Sequence, residues 1–184
     1  MQFTPTDLPG VFLIKPKVFG DERGFFMESF NARLFAEQGL DIPFIQDNHA
    51  KSAAGVLRGL HFQRPPMAQT KLVRVTAGSV YDVVVDLRKG SPTYGQWRGF
   101  TLTAENFLQL LVPQGFAHGY VTLEPNTEFL YKVDNYYAPD LDGGLLWNDP
   151  DLAIDWPVDA PTLSAKDKVL PRLKDFDSPF LFQA

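Results

Sequence analysis

The chain has 184 residues, 45% hydrophobic and 14% aromatic, enough to bury one sizeable core, so a single domain over residues 1–184 is expected. Its net charge of −5 argues against a nucleic-acid surface, because duplex binding draws most of its affinity from cations clustered on one face. The absence of cysteine excludes disulfide scaffolds, Cys-ligated zinc and thiol nucleophiles, and fits a reducing compartment. Sixteen Phe and fifteen Pro favour strands and turns over helices. Met1-Gln2-Phe3-Thr4-Pro5 lacks a basic segment with an apolar run behind it, and no stretch approaches the roughly 18 apolar residues of a membrane span. A soluble cytoplasmic protein is expected. In chain order, strands are predicted over residues 11–14, 24–30, 57–63, 70–76, 80–87, 97–103, 107–112, 117–123, 128–135 and 144–147. The clearest alternation sets Tyr81, Val83, Val85 and Leu87 on one face and Val80, Asp82, Val84 and Asp86 on the other. Residues 31–39 read as one helix capped by Asn31 and ended by Gly39, and a second helical turn opens at Ser164. Turn signals at Gly20-Asp21, Ala77-Gly78-Ser79 and Lys89-Gly90-Ser91-Pro92 separate the strands, which predicts a mainly β sandwich or barrel. The Asp- and Pro-rich stretch 149–161 is expected to wrap it as ordered loop, with residues 149–184 packing on the outside.

Leu57-Arg58-Gly59-Leu60-His61-Phe62-Gln63, then Lys71, then Pro113-Gln114-Gly115-Phe116-Ala117-His118 resemble the two half-motifs of a cupin barrel without its metal ligands. A metal cupin offers His-x-His and an acidic residue from its first half-motif. Here Gln63 takes the second His position and a lysine stands near the acid. An amide is a poor ligand for transition metals and an ammonium repels them, so no metal and no cofactor is expected. What remains is one base and one fixed cation, a pairing suited to removing a proton next to a carbonyl while the cation stabilises the enolate oxygen. Arg23, Arg58, Lys71 and Arg74 fall near these motifs, so a locally positive site is expected in an acidic protein.

Each residue also has a plainer reading. Alternation puts Leu57, Gly59, His61 and Gln63 on one face, and Lys71, Val73 and Val75 on one face of the next strand; a hydrogen-bonded core histidine and a snorkelling lysine fit equally. Strict alternation places Arg58 opposite His61 unless Gly59 makes a bulge. Tyr131 shares a face with Phe129, Val133, Asn135 and Tyr137 if the strand runs on, either as a proton donor across a substrate from His61 or as core filler. Asp167, in Ser164-Ala165-Lys166-Asp167, is either part of a helix cap or a carboxylate that holds the ring tautomer of His61. Arg23 and Glu28 flank aromatics at the mouth of a strand, where a guanidinium suits a diphosphate and a surface turn is the alternative. Gln46-Asp47-Asn48-His49 supplies amides that read a base or sugar edge, or forms an Asx-rich turn.

Taken together and in order, Phe19-Gly20-Asp21-Glu22-Arg23-Gly24-Phe25-Phe26, Gln46-Asp47-Asn48-His49, Leu57–Gln63, Lys71-Leu72-Val73-Arg74, Pro113-Gln114-Gly115-Phe116-Ala117-His118-Gly119, Phe129-Leu130-Tyr131-Lys132 and Leu163-Ser164-Ala165-Lys166-Asp167 resemble the nucleotide-sugar epimerases represented by dTDP-4-dehydrorhamnose 3,5-epimerase. The resemblance covers nearly the whole chain. It implies a metal-independent, cupin-like jelly-roll homodimer that inverts C3 and C5 of dTDP-4-dehydro-6-deoxy-D-glucose through a C4 enolate. By that likeness His61 is the base, Asp167 its orienting partner, Tyr131 the acid on the other face and Lys71 the cation at the C4 oxygen. The same likeness assigns Arg23, Glu28, Gln46, Asn48, Arg58, His118, Tyr137 and Lys166 to the dTDP-sugar, with Arg23 and Glu28 reaching the partner subunit's site. Asp142 stands where the family leads one to expect a glutamate, and Arg64-Pro65-Pro66-Met67-Ala68 replaces a more polar turn. Mono-epimerases and ketoisomerases of related dTDP-4-keto-6-deoxy sugars keep many of these motifs, with Tyr131 as the discriminating residue; a non-catalytic carbohydrate-binding jelly roll and a metal cupin with unusual ligands are the other readings.

Overall fold

The computed structural model describes residues 1–183. Its strands are β1 (Gln2–Pro5), β2 (Phe12–Lys15), β3 (Val18–Asp21), β4 (Gly24–Met27), β5 (Gln46–Ser52), β6 (Leu57–Gln63), β7 (Lys71–Ala77), β8 (Ser79–Asp86), β9 (Trp97–Thr103), β10 (Gln109–Val112), β11 (Phe116–Thr122), β12 (Thr127–Val133) and β13 (Asp142–Gly144), with one short helix, α1 (Ala32–Ala36). Two antiparallel sheets, ordered β1-β2-β10-β7-β12-β5 and β13-β6-β11-β8-β9, face each other, and β3 pairs with β4 in a separate hairpin. This is the mainly β, cupin-like jelly roll expected from the turn spacing.

Three apolar layers follow from side-chain alternation. Between the sheets lie Val73, Val75, Val80, Val84, Leu102, Leu110, Val112, Tyr120 and Phe129. Outside the five-stranded sheet, Leu57, Leu60, Phe62, Val83, Val85 and Val121 pack against Leu152, Trp156 and Phe180 of the C-terminal segment. Outside the six-stranded sheet, Ile14, Leu72 and Leu111 pack against Phe35 of α1. Strand β8 is therefore buried on both faces, which explains its near-continuous valine run.

Helix α1 begins where expected, with Asn31 Oδ1 accepting from the Leu34 amide at 3.3 Å, and Gly39 takes a positive φ of 75° beyond its end. In the C-terminal segment, Trp97 Nε1 donates to Leu152 O, and the Leu173 amide donates to the buried Asp149 carboxylate. Several sequence expectations need correction. Strands β1 and β3 were not predicted, and Gln46–Ser52 is an edge strand, β5, paired with β12 over its whole length rather than a turn. Its polar run misled because an edge strand packs only one face and half of its side chains stay wet. Strand β4 stops at Met27, β12 stops at Val133, and the last strand is Asp142–Gly144 rather than residues 144–147.

Of the two readings of β6, strict alternation and a bulge at Gly59, the strand follows the bulge. The β6–β11 register pairs His61 with His118 but Arg58 with Tyr120, so β6 carries one extra residue at Gly59 and Leu60. Leu57 accordingly joins the outer core, while Arg58, His61 and Gln63 turn inward. Gly59 has φ of 143°, and a Cβ placed there meets Gly119 Cα at 2.5 Å. Gly59→Ala is expected to destabilise the fold by about 2 kcal/mol or more, combining backbone strain with a backbone clash. Chemical denaturation checks this, and a loss below about 0.5 kcal/mol would contradict it.

Candidate active site

His61 enters the space between the sheets from β6, and the bulge before it lets Arg58 enter from the same wall. The 3₁₀ turn Asp167–Val169 brings Asp167 against the ring, with Oδ1 at 2.6 Å from His61 Nε2. Ser164 Oγ accepts from the Asp167 amide at 3.1 Å as a cap does, and the carboxylate is left free to meet the histidine. Burial alone would raise the Asp167 carboxyl, but hydrogen bonds from His61, the Ser164 hydroxyl and the Gly59 amide outweigh it and hold the group below the usual carboxylate range. An ionised Asp167 selects the tautomer with a proton on Nε2, which leaves Nδ1 as the ring nitrogen able to accept one.

The facing sheet supplies the other two groups. Lys71 on β7 and Tyr131 on β12 point inward and line the same cavity of about 420 Å³ as His61, His118, Tyr120 and Phe129. Because β6 and β12 belong to different sheets, His61 and Tyr131 stand on opposite walls. Desolvation pulls the Lys71 ammonium down to about 8, against the pull of Asp142 and Asp82. Burial raises the Tyr131 phenol, with Arg58 acting in the opposite sense. The tyrosine is therefore a protonated donor at neutral pH.

Toward solvent the cavity continues into a lobe of about 300 Å³ lined by Gln46, Asn48, Tyr137, Asp142 and Lys166, and by the same His61, Lys71 and Tyr131. Gln46 Nε2 donates to Asn48 Oδ1 at 2.9 Å, so these amides are aligned by the strand rather than by an Asx turn. Asp142 lies at this mouth, paired with Lys166 and accepting from the Tyr137 hydroxyl at 3.3 Å. Tyr137 reaches it from a loop, since β12 ends four residues earlier, and Asn135 instead donates to Ala68 O. Arg58 sits at the rim, donating through Nη2 to Ser52 Oγ at 3.1 Å.

Gln63 is committed elsewhere. Its Nε2 donates to Met67 O and Tyr136 O, and its Oε1 accepts from the Ala138 amide, so the residue in the metal-ligand position ties loops together. No group of three His, Cys, Asp or Glu placed to hold a metal occurs among the described residues. Arg23 and Glu28 are not brought to this cavity by their own chain. Arg23 pairs with Asp21 on the β3–β4 hairpin with its side chain 83% exposed, and Glu28 accepts from Asn31 Nδ2 at 3.3 Å. Arg74 faces away, on the outer side of the six-stranded sheet beside Asp47 and Leu72, because it is one residue out of phase with Lys71 and Val73. Sequence reasoning passed over Tyr120, in the cavity wall, and Asp82, buried against His118. The signal for Asp82 was a carboxylate in the middle of a valine-rich strand; His118 and Tyr120 sharing a face was the signal for Tyr120.

Residues 5–175 match the family model described as dTDP-4-dehydrorhamnose 3,5-epimerase. The Salmonella typhimurium dTDP-4-dehydrorhamnose 3,5-epimerase is 57% identical over 91% of this chain and 93% of its own length. The crystal structure of the Bacillus anthracis enzyme of that name, with TDP and PPi bound, is 54% identical with a TM-score of 0.91, covering 93% of this chain and 98% of that one. The Legionella pneumophila dTDP-6-deoxy-D-glucose-3,5-epimerase, in complex with dTDP-4-keto-L-rhamnose, superposes with a TM-score of 0.95 at 45% identity, covering 100% and 99% of the two chains. A histidine–aspartate pair facing a half-buried tyrosine and lysine, in a jelly roll that matches these enzymes over nine-tenths or more of its length, places the chain in the dTDP-4-dehydrorhamnose 3,5-epimerase family.

Proposed function

We propose that the protein inverts C3 and C5 of dTDP-4-dehydro-6-deoxy-D-glucose, giving dTDP-4-dehydro-L-rhamnose. The observation that supports this reading is that His61 on one sheet and Tyr131 and Lys71 on the facing sheet line one cavity. The C4 ketone acidifies the C–H bonds on both neighbouring carbons. His61 Nδ1 takes the proton from one face, and the C–H electron pair moves into an enolate whose oxygen carries the developing charge. Lys71 stabilises that oxygen, an effect typically worth a few kcal/mol when the charge is fixed and dry. Tyr131 returns a proton to the same carbon from the opposite face, which inverts it. Exchange with water restores both groups, and the cycle repeats at the second carbon. Asp167 keeps the ring orientation and stabilises the imidazolium that forms.

The mouth residues Gln46, Asn48, Arg58, Tyr137, Asp142 and Lys166 would hold the dTDP portion, and the buried His118 the sugar end. A lysine and an arginine at the rim suit a diphosphate, and the exposed Tyr137 ring suits a base. His61→Asn and Tyr131→Phe are each expected to lower kcat by at least about 10²-fold, the usual worth of a positioned acid or base. Conversion of dTDP-4-dehydro-6-deoxy-D-glucose followed by NMR measures this. Loss of less than about tenfold in His61→Asn would favour a binding role instead.

We further infer a homodimer in which Arg23 and Glu28 complete the partner subunit's site. The β3–β4 hairpin supports this, since it carries Phe19, Phe25 and Phe26 at 53%, 61% and 66% exposure beside the solvent-facing Arg23. Such an apolar arm is costly to leave in water. Arg23→Ala and His61→Asn chains, each inactive alone, should regain activity when co-assembled, because one site per mixed dimer then has both residues. No recovery in mixed dimers isolated by dual tags would refute the exchange.

A further inference from the structure

One buried ionisable group beside the cavity has no part in the chemistry above. Asp82 stands on the inner face of β8 between Val80 and Val84, fully shielded from solvent. A carboxylate in an apolar wall needs a partner, and His118 Nε2 lies at 2.9 Å from Oδ1 and 3.0 Å from Oδ2. His118 is itself 6% exposed and lines the cavity. Among the described residues no buried side-chain nitrogen or oxygen lacks a partner, so the His118 Nδ1, which has no protein hydrogen bond, opens on the cavity. The arrangement repeats that of Asp167 and His61, and the two histidines are register partners on neighbouring strands of one sheet.

Lys71 is the charged group this pair acts on. It extends from β7 among His61 of β6, Asp82 of β8, His118 of β11, Tyr131 of β12, Asp142 of β13 and Lys166 of the C-terminal segment. Asp142 shares its charge with Lys166 and Tyr137 at the mouth, and Lys166 repels Lys71. Asp82 is the carboxylate held on the interior side.

We propose that Asp82 is a positioning residue for the electrophilic side of the site: it fixes His118 with Nδ1 toward the substrate and supplies the buried negative charge that keeps Lys71 protonated where it meets the C4 oxygen. Burial already pulls the Lys71 ammonium down to about 8, and Asp82 is one of two carboxylates opposing that pull. Burial in turn pushes the Asp82 carboxyl up, while His118 and Lys71 draw it back. The inference deepens the epimerase reading and rests on it for the identity of the oxygen.

Asp82→Asn keeps the shape and removes the charge. Lys71 then loses its proton more easily, so an alkaline limb of kcat/KM, expected near pH 8 from Lys71 in the native protein, should move about one unit lower. kcat at pH 7 should fall roughly tenfold with KM within about threefold, since the interaction strengthens only as the enolate forms. His118→Asn removes the imidazole but leaves an amide that donates to Asp82, and should lower kcat while moving the limb less than Asp82→Asn does. A nitrogen-15 NMR titration of the Lys71 ammonium in ligand-free protein reads the same coupling without substrate. Lys71 titrating near pH 8, and lower in Asp82→Asn, supports the proposal even if the protein proved inactive on the dTDP-sugar, which would sink the epimerase reading alone. Lys71 titrating with the surface lysines, or unmoved in Asp82→Asn, overturns the proposal. Should Asp82→Asn fail to fold, the native titration together with the His118→Asn profile decides by the same criteria.

Discussion

The hydrogen bond between His61 and Asp167 joins residues 106 positions apart, and the site depends on it. His61 belongs to the barrel wall, whereas Asp167 arrives on a segment that runs over the outside of the five-stranded sheet. That segment is held by Leu152, Trp156, Leu163, Leu173, Phe176 and Phe180 against the outer faces of β6, β8 and β11. The apolar packing and the site are therefore coupled: the carboxylate that pairs with His61 is in place only when the C-terminal segment has docked. A two-residue pairing is strong here because Asp167 is only 2% exposed, so water competes poorly for either partner.

The bulge in β6 solves a second problem of placement. A regular strand would send Arg58 to the outer core, where an unpaired guanidinium has no place beside Leu60 and Phe62. One extra residue flips the phase, so the strand contributes Arg58 and His61 to one cavity and Leu57, Leu60 and Phe62 to the other side. The close approach of Gly59 to Gly119 is what permits it. The facing sheet needs no such device. Lys71, Tyr131 and Phe129 come inward by plain alternation on β7 and β12, whose registers pair Tyr131 with Val73.

The architecture was legible because turn residues punctuate the chain at strand-length intervals and because α1 carries its own cap and stop. The half-motifs around His61 and His118, together with Lys71, located the cavity, and the ordered run of motifs named the family. Three things were not legible for physical reasons. Strand β5 is polar because it is an edge, so its composition imitates a turn. The phase of β6 stayed open between strict alternation and a bulge at Gly59, because the choice rests on a tertiary contact with Gly119 that no local pattern encodes. Asp82 was seen as a face-setting residue only, since its partner His118 is on another strand. Arg23 and Glu28 lie away from the cavity of their own chain, and the part they play belongs to an assembly.

The central claim is that one base and one acid on opposite walls invert two carbons flanking the same ketone. The most direct test is turnover of dTDP-4-dehydro-6-deoxy-D-glucose in D₂O with the product's C3 and C5 resolved by NMR. The account predicts solvent deuterium at both carbons with both configurations inverted. Label and inversion at a single carbon, or an unlabelled product, would contradict it.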